Sequence, residues 1–351
     1  MIHASYSKRT LFFKQPAGTS RGVLTQKEVF YLTLVEKDNP SNKGIGEIAP
    51  IPDLSPDAIP ELEAKIKEIV QKINNAEKIA DDELVGFPAV QFGYETALKG
   101  LKTGSQVLLY PSDFTNGVKG IPINGLIWMG TKEFMVQQVE EKLAAGFICL
   151  KLKIGAIDFD SEMDILRSIR KRFPAEQLEI RVDANGAFPA EKVLSILEEL
   201  ATFHLHSIEQ PIKAGQIAEM KRLCAETPLP IALDEELIGI SDYTEKEKLL
   251  DEIRPQYIIL KPTLTGGIKA SEEWISLAKE RRIGWWITSA LESNIGLNVI
   301  TQWTATLGTS NFQGLGTGAL FTNNIESPLY VSEGFIHYNP NQNWDLKSLG
   351  E

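Results

Sequence analysis

The sequence predicts an α/β protein: a parallel eight-stranded barrel preceded by an α+β module. Three observations point there. Strand-like runs recur near residues 121–126, 148–154, 178–183, 206–209, 230–234, 257–261, 284–288 and 313–316, about 25 residues apart, with helical runs between most of them. Before residue 103 the pattern is different, with strands first and helices after. The chain has 351 residues, 43% of them hydrophobic, enough for a large barrel with an accessory region.

The N-terminal module comes first. Residues 2–15 and 22–36 are rich in β-branched and aromatic side chains, and VFYLTLV (29–35) is the clearest strand. With the run around Ile45 to Ile48 they predict an antiparallel meander. The stretch 15–24 holds Pro16, Gly18 and Gly22 and is expected to be a loop. Helices are expected over about 58–76 and 87–102. The second carries Phe87, Val90, Tyr94, Ala97, Leu98 and Leu101 at helical spacing, with Pro88 in its first turn. Residues 103–120 form a linker by composition. In the barrel, helices are expected at 189–203 (Val193, Leu194, Leu197, Leu200, Ala201) and near 268–281 (Ala270, Trp274, Leu277, Ala278). The last 25 or so residues, with YVSEGFIHY, are expected as strands that return to the N-terminal module.

Composition narrows the function. The net charge of −11 argues against nucleic acid and anionic membrane surfaces as partners. No apolar run is long enough to span a bilayer. The N-terminus lacks the basic-then-apolar plan of a signal peptide. Cys149 and Cys224 are not spaced as a zinc site and are expected as buried thiols in a reducing cytoplasm.

Chemistry in a parallel barrel sits where strands end and βα loops begin. Leu150-Lys151-Leu152-Lys153-Ile154 places both lysines on one face of the second strand, because successive side chains alternate. Two ammonium groups facing one enclosed space repel, and desolvation also disfavours their charge. Both effects lower a lysine pKa toward that of a general base. The third, fourth and fifth strands end in Asp183, Glu209 and Asp234, at intervals of 26 and 25 residues. Three carboxylates on neighbouring strand ends repel unless a cation sits among them, and a hard divalent ion such as Mg²⁺ fits oxygen ligands. Lys261 ends the sixth strand, across the barrel from Lys153. Taken singly, Asp183-Ala-Asn-Gly is a good turn, Asp234 can belong to a solvated acidic loop, and Lys261 can snorkel. His204 and His206 lie at the opposite end of the fourth strand and are expected to be structural. A metal flanked by two lysines suits proton abstraction next to a carboxylate.

Lys151-Leu-Lys153, Asp183-Ala-Asn185, Glu209-Gln-Pro211, Asp234-Glu235 and Lys261-Pro262 together resemble the ordered motif set of the enolase superfamily, muconate-lactonising subgroup. Gly46-Glu47-Ile-Ala-Pro50 and Leu54-Ser55 resemble its capping region. The resemblance implies a modified TIM barrel, (β/α)7β, over 116–324, with an α+β capping domain over 1–115 completed by 325–351. It implies Asp183, Glu209 and Asp234 as metal ligands for Mg²⁺, with Mn²⁺ as substitute. Lys153 and Lys261 would be acid/base residues, assisted by Lys151. Within the subgroup the sequence is most similar to the o-succinylbenzoate synthase family of menaquinone biosynthesis, through 260–267, 289–297 and 314–317. The implied reaction is syn loss of water from 2-succinyl-6-hydroxy-2,4-cyclohexadiene-1-carboxylate, with Arg21, Ser289, Glu292 and Gly314 as substrate contacts.

The dipeptide epimerases' Asp-x-Asp is replaced here by Gly314-Leu-Gly-Thr-Gly318, and no histidine lies at the seventh strand end. N-succinylamino acid racemase activity stays open, with other subgroup activities such as cycloisomerisation behind it. A Schiff-base aldolase using Lys153 or Lys261 and a non-catalytic barrel that binds a small acid are the alternatives from other classes. A small-molecule carboxylate substrate is the expected partner, with the oligomeric state left open.

Overall fold

A computed structural model describes residues 1–19, 22–155 and 157–349. Strands β1 (Ile2–Thr19), β2 (Gly22–Glu36) and β3 (Asn39–Ile48) form an antiparallel sheet in that order. Helices α1 (Leu62–Asn74) and α2 (Pro88–Thr103) cover one face of it, where Phe30, Leu32, Leu34 and Ile48 meet Ile66, Ile69, Val90 and Ala97. Asp57 caps the start of α2, its Oδ2 accepting from Ala89 N–H at 2.8 Å and Val90 N–H at 3.3 Å. Pro88 opens the helix where no intrahelical donor is needed, and Gly104 closes it at φ 68°.

Residues 15–19 and 22–24 of the expected loop instead belong to the two arms of a ribbon, and residues 20 and 21 lie outside the described residues. The β1–β2 register shifts between Phe12 and Ala17, then resumes with Ala17 opposite Leu24 and Thr19 opposite Gly22. Pro16 sits in that bulge, where its missing N–H costs no ladder bond. Distant partners hold the ribbon: Lys14 N–H donates to Leu320 O at 2.8 Å, and Thr322 N–H to Phe12 O at 2.8 Å. Turn-forming composition yields here to pairing that a local reading does not contain.

The barrel follows in order: β4 (Ile121–Pro122), β5 (Gly125–Ile127), α3 (Lys132–Ala144), β6 (Cys149–Lys153), α4 (Phe159–Arg172), β7 (Glu179–Asp183), α5 (Val193–Ala201), β8 (Ser207–Glu209), α6 (Ile217–Glu226), β9 (Ile231–Leu233), α7 (Tyr243–Ile253), β10 (Tyr257–Leu260), α8 (Pro262–Thr265), α9 (Gly267–Glu280), β11 (Gly284–Ile287) and α10 (Asn294–Thr306). Strands β5 to β11 pair in parallel with sequential neighbours. The expected strand near 313–316 is reduced to two parallel bridges, Gln313 with Ile123 and Gly314 with Thr288, which join the first and last strands. Outward residues such as Leu150, Leu152, Ile180, Val182, Ile208 and Leu233 share one core with the helices. Inward residues include Lys151, Lys153, Arg181 and Asp183. At the N-terminal end Ala232, Ile259 and Trp286 form a small separate cluster with Tyr257. His206 packs on Tyr257 there, ring centroids 4.8 Å apart. No helix among the described residues is long and apolar enough to cross a membrane.

The terminal strands correct another expectation. β12 (Leu329–Ser332) and β13 (Phe335–Tyr338) form a sheet with β4, not with the capping sheet. The chain meets the cap on either side of these strands: Phe321 and Ile325 before them, and Trp344, Leu346 and Leu349 after them, join the interface cluster of Leu11, Val29, Tyr31 and Ile45.

Close backbone approach sets the seat of α2 on β3. A Cβ built on Gly46 lies 1.7 Å from Gly93 O and 2.6 Å from Gly93 C, backbone atoms that cannot swing aside, and 2.8 Å from Thr96 Oγ1. Gly46→Ala is therefore expected to destabilise the protein by about 1–3 kcal/mol through overpacking, read as a lowered thermal midpoint.

Candidate active site

At the C-terminal mouth of the barrel, strand register gathers the motif residues. Lys153 lies opposite Asp183 across β6–β7, and Asp183 opposite Glu209 across β7–β8. Glu209 lies opposite Ala232, so Asp234 stands two residues further along the next strand. All six charged groups are buried: Lys151, Lys153, Asp183, Glu209, Asp234 and Lys261. They alternate in sign. Lys151 Nζ lies 2.8 Å from Asp183 Oδ2 and also donates to Glu209 Oε2. Lys153 Nζ donates to Asp183 Oδ2 at 2.6 Å and to Asn185 Oδ1 at 2.7 Å. Lys261 Nζ donates to Asp234 Oδ2 and stands 3.6 Å from Glu209 Oε1. Asn185, at φ 44°, is a residue the motif reading did not assign. Its amide donates to Glu235 Oε1 at 3.0 Å and so fixes the oxygen that Lys153 meets.

Electrostatics separates the lysines. Burial pulls Lys153 below the ordinary lysine range, with Asp183 opposing and Lys151 reinforcing the shift. Lys151 faces the same burial, but Asp183 and Glu209 outweigh it and raise it, so the expectation that both lysines are lowered holds only for Lys153. Lys261 is likewise raised against burial by Asp234 and Glu209. Burial alone would raise Asp183; Lys151 and Lys153 instead hold it well below the usual carboxylate range. Glu209 is pushed up to about 7 by burial and by Asp183. Asp234 is also raised, by burial first.

The three carboxylates share ammonium groups pairwise, and among the described residues no single atom touches all three. Among the described residues no three His, Cys, Asp or Glu side chains stand close enough to hold a metal ion as placed. The donor set nonetheless suits a hard cation. Glu209 Oε1 is buried without a hydrogen-bond partner. Glu209 and Asp234 both carry less positive charge than their burial demands, and all the donors are oxygens on adjacent strands.

A cavity of about 470 Å³ opens above these groups. Lys151, Lys153, Asn185 and Lys261 form its floor. The ribbon tip (Phe13, Ala17, Val23, Leu24) and Ile51–Leu54 roof it, and Ser289, Ala290, Leu291, Gly314 and Thr317 line a wall. Ser289 Oγ shares a 2.6 Å hydrogen bond with Thr317 Oγ1. Gly314 is obligatory in size, since a Cβ there would lie 2.5 Å from Thr288 Oγ1. Glu292 departs from expectation: it is fully buried beneath the wall, accepting from Ala290 N–H at 2.7 Å and from the Thr263 hydroxyl, and it does not line the cavity. Arg21 lies outside the described residues. Asn124 and Thr288, which no motif singled out, line the cavity with Asn124 Oδ1 and Thr288 Oγ1 buried and unpartnered.

Lys151→Met would leave two buried carboxylates without the cation between them. A stability loss of about 3–5 kcal/mol is expected in thermal or urea unfolding. Added divalent cation is expected to restore part of it by binding the folded state alone.

Comparison with known proteins agrees with this geometry. Residues 134–341 match the family model described as enolase C-terminal domain-like, and residues 20–101 match the MenC N-terminal domain. The chain is 48% identical to the o-succinylbenzoate synthase of Desulfotalea psychrophila, over 95% of this chain and 98% of that one. The crystal structure of MenC from that organism superposes with a TM-score of 0.84 at 44% identity, covering 96% of this chain and 99% of that one. The muconate lactonizing enzyme of Pseudomonas fluorescens shares the fold, with a TM-score of 0.79 at 20% identity over 99% and 98% of the two chains. The chain belongs to the enolase superfamily and, within it, to the MenC family of o-succinylbenzoate synthases.

Proposed function

We propose that this protein is an o-succinylbenzoate synthase, a hydro-lyase that removes water from 2-succinyl-6-hydroxy-2,4-cyclohexadiene-1-carboxylate in menaquinone biosynthesis. The observation that carries the reading is the 48% identity, sustained over 95% of the chain, to an enzyme of that name. The geometry supplies a chemistry that fits. Superfamily membership implies a divalent metal; Mg²⁺ or Mn²⁺ held by Asp183, Glu209 and Asp234 would neutralise charge on the ring carboxylate as the neighbouring proton leaves.

Lys153, drawn below the ordinary lysine range by burial, is the base that takes the proton from the carbon bearing the ring carboxylate. Asn185 aims its amine through the 2.7 Å hydrogen bond. The C–O bond to the ring hydroxyl then breaks, and the Lys153 ammonium on the same face returns the proton to the departing oxygen as water. The ring becomes aromatic. Lys261 ends the sixth strand of the barrel, opposite the second. Held in its charged form by Asp234 and Glu209, it suits a cation over the other face of the anionic ring. Lys151 keeps Asp183 ionised and donates to Glu209 between the two. Ser289, Thr317, Asn124 and Thr288 offer polar contacts to the succinyl tail. The buried free thiols Cys149 and Cys224 are in keeping with a cytoplasmic enzyme.

Racemisation of N-succinyl amino acids would use the same two lysines, with Lys153 and Lys261 exchanging roles. Residues 314–318 carry no acidic pair, which leaves dipeptide epimerisation without an anchor for an amino group.

Incubation with Mg²⁺ and the cyclohexadiene acid is expected to give an aromatic ultraviolet product, abolished by EDTA, with N-succinyl amino acids run in parallel. No product with the metal present would end this reading. Lys153→Ala is expected to lower kcat by about 10²–10⁴ or more while metal binding survives, checked by calorimetry beside the rate assay. Because Lys153 acts as the neutral amine, kcat/KM is expected to rise with pH through its pKa. The midpoint should lie below the roughly 10.4 of a free lysine, and a pH–rate profile checks it.

A further inference from the structure

The stretch Ser289 to Ser293 walls the cavity through Ser289, Ala290 and Leu291. Its backbone is held from the capping sheet. Lys27 of β2 is 1% exposed, and its Nζ donates to Ala290 O at 2.8 Å and Leu291 O at 3.1 Å. Glu47 of β3, equally buried, accepts from Ser293 N–H at 2.7 Å, the Ser293 hydroxyl at 2.6 Å and Gly296 N–H at 2.7 Å. Neither side chain lines the cavity.

Burying a lysine is costly, and this one gives its hydrogen bonds to two main-chain carbonyls of a single turn. That turn needs holding. Leu291 adopts φ 61°, a left-handed conformation that a branched side chain rarely takes unless its surroundings impose it. From inside the turn Glu292 ties Ala290 N–H to the Thr263 hydroxyl, two residues beyond Lys261. The cap, the cavity wall and the turn after β10 are thus joined by one set of buried hydrogen bonds.

We propose that Lys27 and Glu47 are positioning residues: from the capping sheet they hold the 289–293 turn in the shape that fits substrate, without touching substrate themselves. Kinetically this rests on the dehydration reaction above. The base and the proposed metal carboxylates stand on β6 to β9, away from this turn, so loss of the anchors acts on fit more than on chemistry.

In Lys27→Met, KM for the cyclohexadiene acid is expected to rise about tenfold or more with kcat within about threefold. Amide hydrogen exchange across 289–293 is expected to accelerate while exchange in β6 and β7 is unchanged. Lys246→Met is the control. That lysine is also fully buried, but it pairs with Glu273 between outer helices, and its loss is expected to lower stability with KM unmoved. If Lys27→Met does not fold, Glu47→Gln carries the same expectations. Unchanged KM together with unchanged exchange at 289–293, or a KM rise matched by Lys246→Met, overturns the proposal. If the unmodified enzyme does not convert the acid, the reaction assignment fails, and the exchange comparison still decides the role of Lys27 and Glu47.

Discussion

The structure turns on a buried alternation of ammonium and carboxylate groups at one end of the barrel. Asp183, Glu209 and Asp234 supply three negative charges; Lys151, Lys153 and Lys261 supply three positive ones. Any one of them alone in that interior would be strongly unfavourable. In alternation each is the counter-ion of its neighbours, and the arrangement exists only because β6 to β10 are adjacent and parallel. The balance is uneven. Lys153 is left short of negative charge and Glu209 short of positive charge, one drawn down and the other up to about 7. That unevenness provides a base and a seat for a hard cation within the same few ångströms.

A polar barrel interior displaces the hydrophobic core outward. The inward positions of β6 and β7 carry Cys149, Lys151, Lys153, Glu179, Arg181 and Asp183, so the leucines, isoleucines and valines between them face the helices. At the far end, Arg181 stacks 4.1 Å over Trp286 and donates to Glu179 at 2.7 Å, which fills the interior without presenting a charge to the cavity. Rigidity therefore comes from the outer shell, and the interior is free to hold chemistry.

The cavity is assembled from stretches far apart in sequence. The β1–β2 ribbon tip and Ile51–Leu54 close over strand ends that begin a hundred residues later. A buried lysine and a buried glutamate from the capping sheet fasten the turn at 289–293 beneath that roof. Substrate fit and docking of the cap are consequently one problem, since the apolar cluster that joins them contains Leu11, Tyr31 and Ile45 from one side and Leu264, Ala290 and Leu291 from the other.

Much of this was legible in the chain. A strand period of two puts Lys151 and Lys153 on one face, and carboxylates spaced 26 and 25 residues apart fall on successive strand ends; both are local facts about a repeating βα unit. What depends on distant neighbours was not. The β1–β2 ribbon is held at Phe12 and Lys14 by Thr322 and Leu320, and β12 and β13 choose β4 over the capping sheet. Glu292 turns under the wall because Ala290 N–H and Thr263 need an acceptor there. Asn124 and Thr288 carry no motif, and only the closed barrel leaves their oxygens without partners in the cavity. The sequence by itself determined which groups can do chemistry, because alternation and spacing are properties of the backbone. Tertiary structure alone decided which lysine is lowered and which raised, because that depends on how many carboxylates each ammonium meets once water is gone.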